Sequence, residues 1–189
     1  TLAGPNANYE LSVRHLNRTS TPGALIILAG RLRVNDYLEP NITNMANAMY
    51  DAFADHGYSD DRILYLTTSD EPLGDHRPTS AYLRTAITHW AVDKVGPGRP
   101  LTIYFMDHGS KDLLYLDYPR SEVISPTDLD AWLTQLEDSV PGLTTNIIIE
   151  ACNSGSFIQQ PSSLSKPGRV VITSTDTENL AWSSDNGAV

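Results

Sequence analysis

A single cysteine, Cys152, stands among 189 residues, which excludes an internal disulfide framework and every cysteine-rich zinc pattern. Basic residues are scarce as well: 13 Lys and Arg against 23 Asp and Glu give a formal charge of −10, with no Lys/Arg cluster. Nucleic acid and anionic membrane surfaces both require a positive face, so neither is expected as a partner. The longest apolar runs, such as Ala24–Ala29, fall far short of the ~20 residues of a membrane span, and no charged-then-apolar leader opens the chain. The chain begins at Thr1 rather than Met, the end either of a processed protein or of a piece cut from a longer one, so localisation is open, an extracytoplasmic site with the export signal removed being one of the readings. With 40% apolar and 19% charged residues, the composition is that of one globular domain with a single core.

Residues 1–22 are polar and aperiodic and end in a Thr-Ser-Thr-Pro-Gly breaker, so they are expected to form an arm ahead of a domain at 23–189. Two kinds of segment then alternate. The continuous apolar run Ala24–Ala29 predicts a strand covered on both faces, and the short apolar groups within 62–67, Leu101–Met106, 146–150 and 170–172 predict four more strands. Between them, Ile42, Met45, Ala46, Met49, Ala52 and Phe53 predict one helix over 40–57, and the pairs Tyr82/Leu83, Ala86/Ile87 and Trp90/Ala91 predict another up to Gly96. Residues 113–116 and 123–124 flank a Tyr-Pro-Arg turn and predict a hairpin. Ser125-Pro126-Thr127-Asp128 then carries the features of a capped helix start. Parallel neighbours need crossovers of this length, so the class is α/β, a mostly parallel sheet with helices on both faces.

In such sheets ligands bind beyond the carboxyl ends of the strands. The third strand runs into Met106-Asp107-His108-Gly109-Ser110 and the fourth into Glu150-Ala151-Cys152-Asn153-Ser154-Gly155-Ser156. If these strands are neighbours, ~4.8 Å apart, His108 and Cys152 converge on one cleft. A thiol with an ordinary pKa of ~8.5 is mostly protonated at neutral pH, and a nearby imidazole raises the thiolate fraction and later protonates a leaving amine. Gly109 lets its N–H approach a developing oxyanion, and the Cys152 amide can supply a second donor.

These residues resemble the legumain (asparaginyl endopeptidase) family of cysteine peptidases, within the clan of caspase-fold enzymes. The likeness rests on an apolar strand followed by Asp-His-Gly-Ser, then an apolar strand followed by Glu-Ala-Cys-Asn-Ser-Gly-Ser, with His108 and Cys152 44 positions apart. The resemblance implies a three-layer caspase-like fold and cysteine endopeptidase activity on peptide or protein substrates without a cofactor. It implies Cys152 as nucleophile, His108 as general base and acid, and Gly109 with Cys152 as the oxyanion hole. Glu150 matches the acidic floor of the primary specificity pocket, and Ser174 falls in a segment forming a pocket wall. Gly30-Arg31-Leu32-Arg33 after the first strand is nearest to bacterial members. The Asn-Tyr-Arg-His stretch with which the family recognises asparagine is absent: the corresponding region reads Glu39-Pro40-Asn41-Ile42-Thr43-Asn44. The caspase-like fold also adds a helix and a strand after the fifth strand, beyond what 23–189 holds, which would leave an uncovered sheet edge open to self-association.

Each residue also has a plainer reading. A cysteine after an isoleucine-rich strand suits a core position, but that reading gives no reason for a second strand to end in Asp-His-Gly. His15, His56, His76 and His89 read as surface or packing residues, and Trp90 and Trp132 as core. Glu150 serves equally as a buried acid stabilising loop amides, and Trp182 suits either core or cleft. The aspartates around His108 lack metal-ligand spacing, and Ser154-Gly155-Ser156 lacks the first glycine of a serine-hydrolase elbow. The rival function is a catalytically inactive domain of the same fold, binding a protein partner through the cleft.

Overall fold

The computed structural model describes residues 22–70, 72–184 and 187–188, so the arm expected at 1–22 and His15 lie, Pro22 apart, outside the described residues. Five parallel strands form the central sheet: β1 (Ala24–Ala29), β2 (Ile63–Thr67), β3 (Leu101–Met106), then Thr145–Glu150 and Arg169–Thr173. Three short strands of a separate antiparallel sheet come between β3 and the last two, which are therefore β7 and β8, and the spatial order is β2-β1-β3-β7-β8. β1 shows why the apolar runs are continuous. Ala24, Ile26 and Leu28 pack on one face, while Leu25, Ile27 and Ala29 pack on the other. Helix α1 (Glu39–Asp55) covers the second face through Ile42 and Ala46. Helices α2 (Ser80–Thr85) and α3 (Pro126–Ser139) cover the first, giving three layers.

Ser125 caps α3 as expected, accepting from the Asp128 N–H at 3.2 Å while Asp128 accepts from the Ser125 N–H at 3.0 Å. Four details depart from expectation. The second helix is not uniform, since α2 widens into a π-helical turn over Ala86–Trp90, closed by the Ala91 N–H on the Ala86 carbonyl. Its apolar pairs recur every four residues, a spacing that drifts around a 3.6-residue helix and that one wide turn brings back in line. Ala52, counted in the stripe of α1, is exposed, while its neighbour Phe53 still packs against the second face. The expected hairpin is a three-stranded sheet, with β4 (Gly109–Ser110) joined to β5 (Leu113–Asp117) and β6 (Glu122–Ile124). Asp112, at φ 61°, makes the tight β4–β5 turn, a conformation aspartate tolerates. Finally, β9 (Ser183–Ser184) pairs with β10 (Gly187–Ala188), residues without the apolar alternation that would reveal a strand.

The edges differ. Residues 75 and 76 extend over β2, where the Thr67 N–H reaches the His76 carbonyl at 2.9 Å. β8 forms the other edge of the sheet, with Val170 and Ile172 half exposed on the α1 face.

Candidate active site

From β1 the chain goes to β2 on one side and then returns to β3 on the other, so the strand order reverses beside β1 and β3 and opens a crevice at their carboxyl ends. Segments following β1, β3, β7 and β8 meet there. A cleft of about 100 Å³ is lined by His108 and Cys152 together with Glu150 and Ser174, and by Leu38, Ile42, Met106 and Trp182 among others. The structure thus brings together all the expected site side chains.

His108 leaves β3 with its own N–H on Asp107 Oδ1 at 2.6 Å and its carbonyl accepting from the Tyr115 N–H. Its ring is mostly buried. Nε2 lies 3.0 Å from Asp36 Oδ2, too oblique for a hydrogen bond, so the coupling is electrostatic. Burial lowers the pKa of His108, and the Asp36 carboxylate opposes that only in part. The ring is therefore neutral at pH 7, with Asp36 favouring the proton on Nε2 and leaving Nδ1 as an acceptor.

Asp36 is a site residue that sequence reasoning missed. It sits in the loop between β1 and α1, where Oδ2 accepts from the Leu32 N–H at 2.8 Å and Oδ1 from the Leu38 N–H at 3.1 Å. Burial raises its pKa, but these amides and His108 outweigh burial and hold the carboxyl below the ordinary range. No periodicity marks an aspartate in a loop. The available signal was that β1 ends beside β3.

Cys152 follows β7 at a corner leading into a 3-10 turn at Ser154–Ile158, with Asn153 left-handed at φ 54°. The corner is fastened to the segment after β8. Ser174 Oγ accepts from the Ala151 N–H at 3.2 Å, and Thr175 Oγ1 donates to the Ala151 carbonyl at 3.1 Å. Ser174 therefore both lines the cleft and braces the residue beside the cysteine. Cys152 Sγ lies 3.9 Å from the Ala181 carbonyl, and Trp182 stands at the mouth, 75% exposed. Gly109 packs so closely on this corner that a Cβ would come within 2.8 Å of the Cys152 carbonyl oxygen. The glycine is required for that approach.

Glu150 ends β7 on the α1 face, and its Oε1 accepts from the buried Tyr104 hydroxyl at 3.0 Å. Burial, then the Glu150 charge, pushes Tyr104 ionisation far up, so the phenol remains a donor. Tyr104 too was missed, being one apolar-run residue among others in β3. His76 and His89 have packing partners, Tyr82 and Thr88, as does Trp90 in the core. Among the described residues, no three His, Cys, Asp or Glu side chains are placed to hold a metal ion.

Asp107 lines the floor of this cleft as a buried residue, with Gly30 so close that a Cβ there would run into its Oδ2. Burial first, then the charges of Asp36 and Asp117, drives its pKa well above the carboxylate range. A carboxyl raised in the folded state stabilises least at high pH: its full contribution holds below about pH 3.9 and declines as pH rises toward the folded value. Asp107→Asn abolishes that slope. The melting temperature of the variant relative to wild type is therefore expected to rise by a few degrees between pH 4 and pH 7, as read by calorimetry. An unchanged difference would contradict a proton on Asp107.

A family model described as the peptidase C13 family matches residues 86–186. Metacaspase-1A of Aspergillus oryzae is 28% identical over 185 residues, covering 87% of this chain but 42% of that protein, so the chain spans less than half of this curated relative. Among solved structures, caspase-1 of Spodoptera frugiperda superposes with a TM-score of 0.61 at 13% identity, covering 95% of this chain and 72% of that one. At such identity the likeness speaks to fold, and it agrees with the three layers: the fold is caspase-like. The family match takes in more than half of the sequence, with the segments after β3 and β7 inside it. The chain belongs to the peptidase C13 family.

Proposed function

We propose that this chain is a cysteine-type endopeptidase acting on peptides or proteins, with residues 23–189 as its catalytic domain. The observation that carries the reading is the meeting of His108 and Cys152 in one cleft, with a carboxylate 3.0 Å from the far ring nitrogen. The Cys152 thiol passes its proton to His108 Nδ1, and the thiolate attacks the scissile carbonyl carbon. The oxyanion is stabilised by N–H groups of Gly109 and Cys152, each worth roughly 3 kcal/mol in a preorganised site. As the tetrahedral intermediate collapses, the C–N bond breaks and His108 protonates the departing amine, leaving a thioester on Cys152. Water, deprotonated by the same ring, then releases the acid and restores the thiol. Asp36 fixes the ring and stabilises the imidazolium that forms transiently. Gly30-Arg31-Leu32-Arg33 supports a place near bacterial members.

The test is hydrolysis of a diverse peptide library by the wild-type chain and by Cys152→Ala. Turnover is expected from the wild type, and a loss of at least ~10⁴-fold from the variant. A domain that merely binds a partner in the cleft would show no turnover in either.

A further inference from the structure

The geometry points to a lysine or arginine side chain as the group held in the pocket beside Cys152, so that cleavage follows a basic residue. This inference rests on the peptidase reading and specifies its substrate. The cleft, about 100 Å³, is smaller than the ~300–1,000 Å³ of ordinary small-molecule sites and suits one side chain. Its walls on the α1 side are apolar: Leu38, Ile42 and Met106. Glu150 lies among them at the end of β7. Among the described residues, Tyr104 is the hydrogen-bond partner of its carboxylate, and no Lys, Arg or His pairs with it.

A carboxylate inside an apolar slot discriminates sharply among occupants. An acidic side chain would be repelled, and an aliphatic one would strip water from Glu150 and return nothing. An asparagine amide could donate to Glu150, but its short stem would leave the apolar walls of Leu38, Ile42 and Met106 largely uncovered. A long basic side chain satisfies both parts, its methylene stem against the apolar walls and its charge at Glu150.

The surrounding charges agree. Asp36 lies behind His108, and Glu39 opens α1 at the same loop. Arg33, near enough to His108 to disfavour its protonation, is exposed and outside the cleft lining. The net charge of −10 favours approach of a cationic substrate. Tyr104 acts as a positioning residue, holding one oxygen of Glu150 and leaving the other for the substrate.

The experiment has two arms on the whole chain. In the first, matched fluorogenic peptides carry Arg, Lys, Asn, Asp or norleucine before the scissile bond. Arg and Lys are expected to exceed the others in kcat/KM by about 10²-fold, and Glu150→Gln to erase most of that advantage, bringing the Arg, Lys and norleucine peptides to within a few-fold of one another. Equal or faster cleavage after Asn or norleucine would overturn the inference. In the second arm, titration calorimetry on Cys152→Ala compares binding of peptides ending in Arg and in Asn. Tighter binding of the Arg peptide, lost in Cys152→Ala/Glu150→Gln, supports the pocket assignment even if no peptide is ever hydrolysed, an outcome that would sink the peptidase reading alone. Equal binding of the two peptides, or unaltered preference in the double variant, refutes it.

Discussion

Replacing His108 by Ala is expected to lower kcat/KM for peptide hydrolysis by about 10⁴-fold at pH 7, with the chain still folded by circular dichroism. Two steps depend on the ring. A thiol left to its ordinary pKa of ~8.5 is only a few per cent thiolate at pH 7, which limits attack. The departing amine must also gain a proton as the C–N bond breaks, and the ring that took the thiol proton is the group placed to return it. The variant should therefore regain some activity as pH rises toward 9, since hydroxide generates thiolate but cannot replace the acid. In the wild type, burial lowers the pKa of His108, so the ring remains a base to a lower pH than a free imidazole. The acid limb of the kcat/KM profile is accordingly expected below pH 6.5. Asp36→Asn removes the charge that opposes this shift, so it should carry the limb lower still and slow turnover, because the imidazolium of the intermediate loses its partner. A variant His108→Ala within a few-fold of wild type would show that the imidazole is not the proton carrier.

A second large effect concerns stability rather than chemistry. Arg169, at the start of β8, is fully buried as a side chain and meets α3 directly. Its Nε and Nη2 donate to the two oxygens of Glu137 at 2.6 and 2.7 Å, Nη2 also to Thr134, and Nη1 to Asp130 at 2.7 Å. Removing one partner of a buried pair costs about 3–5 kcal/mol, mainly because the other charge is stranded. Here Glu137 and Asp130 are about a quarter exposed and regain some water, so a figure near 3 kcal/mol is appropriate for Arg169→Met. For a chain of this size that lowers the melting temperature by roughly 6–12 °C. Burial raises the pKa of Asp130, but Lys166 and Arg169 outweigh it and hold the carboxyl below the ordinary range. That part of the stabilisation is complete above about pH 4 and fades as pH falls through the lowered value, so the gap between variant and wild type narrows in acid. Arg169→Met combined with Glu137→Leu should recover much of the loss. A shift of less than about 2 °C in Arg169→Met alone would mean that the guanidinium is not a tie between β8 and α3.

Much of the fold was legible because burial dictates it. β1 and β3 are covered on both faces, and a strand in that position can be apolar at every residue, as β1 is and as β3 is but for Thr102. α3 announced itself through Ser125 and Asp128, whose local hydrogen bonds are encoded within four residues. The π turn at Ala86–Trp90 coincides with a four-residue repeat, a spacing that a uniform helix of few turns also accommodates. What remained hidden depends on neighbours distant in the chain. Asp36 acquires its significance from β1 lying beside β3, which sets a loop aspartate against His108. Tyr104 is indistinguishable from its neighbours in an apolar run until β7 places Glu150 within reach of its hydroxyl. β4 consists of Gly109 and Ser110, too short for any pattern, and exists because β5 pairs with it. The site itself was readable from two strand ends because His108 and Cys152 carry chemistry that a core does not need.

The most direct measurement is the rate at which iodoacetamide alkylates Cys152, followed from pH 4 to pH 10 in the wild type and in His108→Ala. A sulfur served by the imidazole should react well below pH 8.5 and lose that low-pH reactivity in the variant. A single rise centred near 8.5 and identical in both proteins would describe a solitary thiol, and would contradict the pairing from which the proposed chemistry follows.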